Sequence, residues 1–249
     1  MTMYISIESR DFLENLKVYL LSSGKNENEI HEIIEELEDH LYEAEKNGKN
    51  IDDIIGKSPK EYMEQVANEM SFDMKGVLKF LPMVMVGAFA FILMGKAIRG
   101  ILQFSIIDLV GYPLIFLLYL LTTALVFKYV SSRRLSKVKE WFVLGITGTL
   151  PIILFMVLIY VNNTVSVPTF EFGIAGNIVA IICSLILFIW FALWSKSWGM
   201  IIIPILLFVP EGLIHLTTLP EEIKVILKAT VPFVLIMSYL LFIFWKMKK

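Results

Sequence analysis

The sequence predicts an all-α membrane protein, with a small N-terminal cytoplasmic three-helix domain followed by a polytopic transmembrane helix bundle of about six spans. Two observations carry this. Of 249 residues, 57% are hydrophobic and only 18% are charged, which is too apolar for an ordinary soluble domain. The net charge of −2 conceals a division: residues 1–70 hold 17 Asp and Glu against 7 Lys and Arg, and the remainder hold 7 against 15. A region of net −10 followed by one of net +8 describes two physically distinct parts, with domains at 1–72 and 73–249.

The opening residues MTMYISIESRDFLENL lack the basic segment, apolar stretch and cleavage site of a secretory signal, so the first hydrophobic helix is expected to act as an uncleaved insertion signal. The single cysteine, Cys183, lies in an apolar run. It excludes an intramolecular disulfide and a thiolate-rich metal site.

In the acidic part, Ser9 is the expected cap of a first helix whose Phe12, Leu16 and Tyr19 or Leu20 recur at helical spacing until Ser22, Ser23 and Gly24. Asn26 and Glu29 predict the start of a second helix. Its Ile30, Ile33, Ile34, Leu37, Leu41 and Ala44 form one apolar stripe, opposite a face dense in carboxylates, and Gly48 suits a left-handed cap. Asn50 to Ile55 suits one turn. Ser58-Pro59-Lys60-Glu61 then combines an N-cap, a proline at the first helical position and a capping-box glutamate. So small a domain buries only about 60% of its unfolded surface, so packing against the membrane part or a partner is expected.

The order FLENLKVYL, NEIHEIIEELEDHLYEAEKNGK and DDIIGKSPKEYMEQVANEM resembles the HAAS domain, the helix-turn-helix-associated alpha-helical signalling domain of bacterial membrane proteins. The resemblance covers about residues 9–70. Its most telling pieces are the acidic run from Glu35 to Lys49, which carries a His as the family's helix does, and the segment from Ile54 to Tyr62. It implies a six-helix membrane region behind the domain, frequent association with PadR-like transcriptional regulators, and no enzymatic activity.

Six stretches approach the roughly 20 apolar residues needed to cross a bilayer: about 77–95, 112–129, 141–161, 174–194, 198–216 and 225–245. With a cytoplasmic N terminus the inner flanks hold 11 Lys and Arg, against 4 outside, namely Lys96, Arg99, Lys224 and Lys228. The positive-inside rule therefore favours both termini in the cytoplasm, and the resemblance implies a bacterial cell membrane. Trp141, Trp194, Trp198 and Trp245 fall at inner boundaries, where indole rings anchor helices.

Candidate sites follow from the polar residues. On the second helix, Glu35, Glu38, Asp39, His40 and Glu43 form a candidate partner-binding face. His31 and His40 are nine apart, a spacing that does not bring two metal ligands together. The stretch KYVSSRRLSKVKE offers Arg133, Arg134, Lys137 and Lys139 as a basic loop that meets anionic lipid headgroups and could dock the acidic domain. Glu211 and His215, four apart in the Pro204- and Pro210-containing fifth span, form a candidate polar membrane site, expected as a Glu–His hydrogen bond or a cavity lining. Asp108 is expected along the outer interface, with Lys96 or Arg99 as partner.

No HExxH, GxSxG, Walker or GxGxxG motif is present, and Glu221-Glu222 has no nearby His ligands. An enzyme is not expected, nor is a cofactor or metal. Two readings remain. The first is a membrane signalling or regulatory protein whose helical domain binds a cytoplasmic protein; an acidic face excludes direct nucleic-acid binding. The alternative is a permease subunit or small-molecule transporter, for which six spans and a Pro/Gly-interrupted helix are permissive.

Overall fold

The computed structural model describes residues 5–56, 58–100, 102–133 and 135–247. Among them the chain is helical nearly throughout, with ten helices and one two-stranded antiparallel ribbon. It divides into two compact units, Met1–Pro82 with Pro113–Tyr160, and Met83–Tyr112 with Val161–Lys249.

The first unit begins with α1 (Ile7–Ser22), α2 (Glu27–Lys46), the single turn α3 (Asp52–Ile55) and α4 (Pro59–Glu69). Phe12, Leu13, Leu16, Tyr19 and Leu20 of α1 share one core with Ile30, Leu37 and Leu41 of α2, Ile55 of α3 and Met63 and Ala67 of α4. The apolar stripe read from the sequence is thus the buried face. Both long helices end in the same way. Gly24 and Gly48 take positive φ, at 69° and 76°, and the next N–H folds back five residues, from Lys25 to the Leu20 carbonyl and from Lys49 to that of Ala44. Asn26 accepts from the N–H groups of Asn28 and Glu29, and Ser58 from that of Glu61.

The α1 cap differs from expectation. Ser6 occupies the cap and accepts from the Ser9 N–H at 3.1 Å. Ser9 is fully buried and donates its hydroxyl to Glu45 Oε1 at 2.6 Å, while the Ser6 N–H donates to Glu45 Oε2 at 2.8 Å. A distant carboxylate thus claims the hydroxyl that local spacing assigns to a cap. Burial pushes the Glu45 carboxyl up, but the bonds from Ser6 and Ser9 outweigh it and hold the group below its ordinary value of 4.5.

The passage into the membrane is also fixed. Asp73 accepts from the Gly76 N–H at 2.9 Å, capping α5 (Met74–Ile98), and accepts from the Asn26 side chain at 3.1 Å. The Asp73 N–H donates to the Gly24 carbonyl, and Lys25 Nζ donates to that of Met70 at 2.7 Å. The α1–α2 turn is therefore bolted to the start of the first membrane helix. To this unit also belong most of α6 (Ile106–Ser131) and α7 (Lys137–Thr164).

In the second unit, α9 (Gly199–His215) packs against α8 (Gly173–Ser195) and α10 (Glu221–Met247). Ala90 and Met94 of α5 close a core with Phe188 and Phe208, and Phe91 lies 4.9 and 5.9 Å from those two rings. The ribbon joins β1 (Gln103–Ser105) to β2 (Thr169–Glu171), with Phe104 opposite Phe170.

Five helices among the described residues are long and apolar enough to cross a membrane: α5, α6, α7, α8 and α10. The fifth expected span is shorter than drawn. Lys196 turns the chain in a left-handed conformation after α8, leaving α9 only 17 residues, or about 25 Å, against a core of roughly 30 Å. Pro204 and Pro210 are carried inside it, as membrane helices allow. The second span begins earlier than expected, at Ile106 rather than Tyr112.

The Ser9–Glu45 bond makes a prediction. Ser9→Ala removes a hydrogen bond to a charged group and should weaken the α1–α2 pair by about 1.5 kcal/mol at neutral pH, read as faster amide exchange in α1 of the solubilised chain. Because the folded-state value of Glu45 is lowered, its contribution is full above pH 4.5 and fades as the pH falls through the lower folded value. The wild-type and variant rates should converge on acidification.

Candidate functional site

The candidate partner face is set by α2. Because Ile30, Leu37 and Leu41 turn inward, Glu35, Asp39, His40 and Glu43 are exposed and Glu38 is half-buried at the edge. His31 Nε2 lies 3.2 Å from Glu35 Oε1, one turn along. Toward α4, burial first and then the charges of Glu69 and Glu36 push the Tyr62 hydroxyl up. Among the described residues no group of three His, Cys, Asp or Glu side chains is placed to hold a metal.

The basic stretch lies beside α1 rather than α2. Lys128 Nζ stands 4.9 Å from the centre of the Tyr19 ring, within cation–π range. Ser131 and Ser132, at the end of α6, are buried. They line a cleft of about 330 Å³ together with Arg133, Leu135 and, from α1, Glu8, Asp11, Phe12 and Asn15. Lys137 and Lys139 are exposed in the first turn of α7; Arg134 lies outside the described residues.

The polar membrane pair is not a pair. Glu211 is buried and accepts from Arg99 Nε at 2.6 Å, while His215 is exposed one turn on. Sequence spacing put Glu211 and His215 on one helical face, but the end of α5 supplies a permanently charged guanidinium, which an imidazole cannot match. His215 lines the rim of an apolar cavity of about 670 Å³ whose walls include Met94, Phe188, Pro204 and Phe208.

Asp108 is the residue whose setting the sequence understated. Lys96 Nζ donates to Asp108 Oδ2 and to the Gln103 carbonyl, both at 2.8 Å, and stands 4.5 Å from the Phe104 ring centre. Asn162 of α7 donates to Asp108 Oδ1 at 2.6 Å and accepts from the Ser105 hydroxyl at 2.6 Å. Ser105 in turn accepts from the Asp108 N–H at 2.9 Å, and its own N–H points back to Asp108 Oδ2 at 3.3 Å. This reciprocal pair is a capping box, and the pattern Ser105-Ile106-Ile107-Asp108 before an apolar run was a readable sign of it. The Asn162 and Lys96 contacts carried no such sign. The cluster ties α5, β1, α6 and α7 at one end of the bundle.

These features define a polytopic helical membrane protein in which the N-terminal helices α1 to α4 share one core. Residues 89–206, from within α5 to within α9, match the family model of the HAAS transmembrane region, so this stretch is similar to the membrane part of HAAS-domain proteins. No curated protein and no solved structure matches it.

Two measurements probe the ion pairs. Lys96 and Asp108 are 23% and 8% exposed, so Lys96→Met, which strands the carboxylate, should cost about 3 kcal/mol or more. Adding Asp108→Asn should restore part of it in thermal unfolding of the solubilised protein. Arg99 is 57% exposed, so its pair is well screened. Glu211→Gln should lower the unfolding temperature less than Lys96→Met does, and His215→Ala should leave it unchanged.

Proposed function

We propose that this protein is a non-enzymatic signalling or regulatory protein of the bacterial cell membrane whose N-terminal helical domain binds a cytoplasmic protein, with PadR-like regulators as the partner class. The observation that carries the reading is the exposed carboxylate face of α2, where Glu35, Asp39, His40 and Glu43 project from a helix whose other side is committed to the core. Such a face suits a basic protein surface and steers its approach.

The Lys and Arg count favours both termini in the cytoplasm. Three of the four cations on the opposite side also have local acidic partners: Lys96 with Asp108, Arg99 with Glu211 and Lys224 with Glu221. Most of the uncompensated positive charge thus lies on the flanks assigned to the cytoplasm. In the transport alternative, intramembrane charges line a path near mid-bilayer; here Lys96, Asp108, Arg99 and Glu211 are paired at helix ends.

The test is affinity capture with the full-length solubilised chain. Glu35→Lys, Glu38→Lys and Glu43→Lys together should reduce recovery of a small DNA-binding protein at least tenfold, with helix content unchanged by circular dichroism. Undiminished recovery would remove the α2 face from the reading, and recovery of an ATPase subunit instead would favour transport.

A further inference from the structure

The turn between α6 and α7 has two faces. One is a cleft that Arg133 and Leu135 line together with Glu8, Asp11 and Asn15 of α1. The other is an apolar hollow of about 260 Å³ between the end of α6 and the first turns of α7, walled by Tyr129, Leu135, Val138, Phe142 and Val143, with Lys139 at its edge. Arg133 bridges the two: it belongs to the acidic cleft, and its guanidinium lies 4.7 Å from the centre of the Tyr129 ring that walls the hollow. Leu135 lines both.

We propose that this turn binds an anionic phospholipid of the surrounding membrane, and that the lipid competes with α1 for Arg133. The hollow takes the upper part of an acyl chain, while Lys139 and Arg133 meet the phosphate. The depth fits, because Trp141, exposed within the same turns of α7, is the residue type that settles at headgroup level. The charge also fits: a segment bearing Lys128, Arg133, Lys137 and Lys139 is drawn to an anionic surface. When Arg133 turns to a phosphate, the cleft it lines with Glu8 and Asp11 loses that cation. Lys128 over Tyr19 then remains as the main attraction for α1.

Lipid composition thereby sets how firmly the N-terminal helices are held. This deepens the signalling reading by naming what moves its cytoplasmic domain. It is tested without any protein partner, so failure of one leaves the other standing.

The full chain, with Cys183→Ser, Lys17→Cys and Ser136→Cys, is spin-labelled and placed in nanodiscs of phosphatidylcholine alone or mixed with phosphatidylglycerol. Native mass spectrometry should find phosphatidylglycerol retained several-fold over phosphatidylcholine. Lys139→Gln and the hollow-filling Val143→Trp should each abolish that preference. The distance between labels should lengthen and broaden when phosphatidylglycerol is added, and this response should vanish in Val143→Trp. Equal retention of the two lipids, or a preference that survives both substitutions, overturns the site. A label distance indifferent to phosphatidylglycerol overturns the competition.

Discussion

Hydrocarbon offers no hydrogen-bond partner, and the membrane part of this protein is organised by that fact. Every backbone N–H and C=O at membrane depth must be satisfied within its own segment, so the apolar residues of the chain run as long helices. Side-chain charge is expelled to the helix ends or paired there. Among the described residues, Lys96 with Asp108 and Arg99 with Glu211 are the ion pairs that cross between helices, and both use the end of α5.

The same constraint explains why the Asp108 cluster is so fully bonded. A buried carboxylate with an unmet lone pair is expensive, and here each oxygen has a partner: Lys96 and the Ser105 N–H on one, Asn162 on the other. The result is a rigid polar cap, saturated from within. That saturation makes it an anchor for helix ends, and it leaves the reading of function to the surfaces that remain exposed.

Those surfaces lie on the acidic helices and the α6–α7 turn. The N-terminal helices present two acidic faces with different neighbours. Glu8 and Asp11 of α1 line one cleft with Arg133, whereas the carboxylates of α2 are largely exposed. The bonds of Lys25 and Asn26 to residues 70–73 couple the α1–α2 turn to the first membrane helix.

The sequence by itself determined the helices and, in the N-terminal part, several of their ends. Hydrophobic spacing set the buried faces of α1, α2 and α4, and the Asn26, Gly48 and Ser58-Pro59 signals marked termini where they occur, because helix periodicity and capping depend on residues a few positions apart. It did not determine which polar groups meet. Ser9 went to Glu45 rather than to a cap, Glu211 to Arg99 rather than to His215, and Asn162 to Asp108. Those pairings span 36, 112 and 54 residues. Only the packing of helices decides which distant side chains share a desolvated space, and in that space the strongest available partner displaces the one that local spacing suggests.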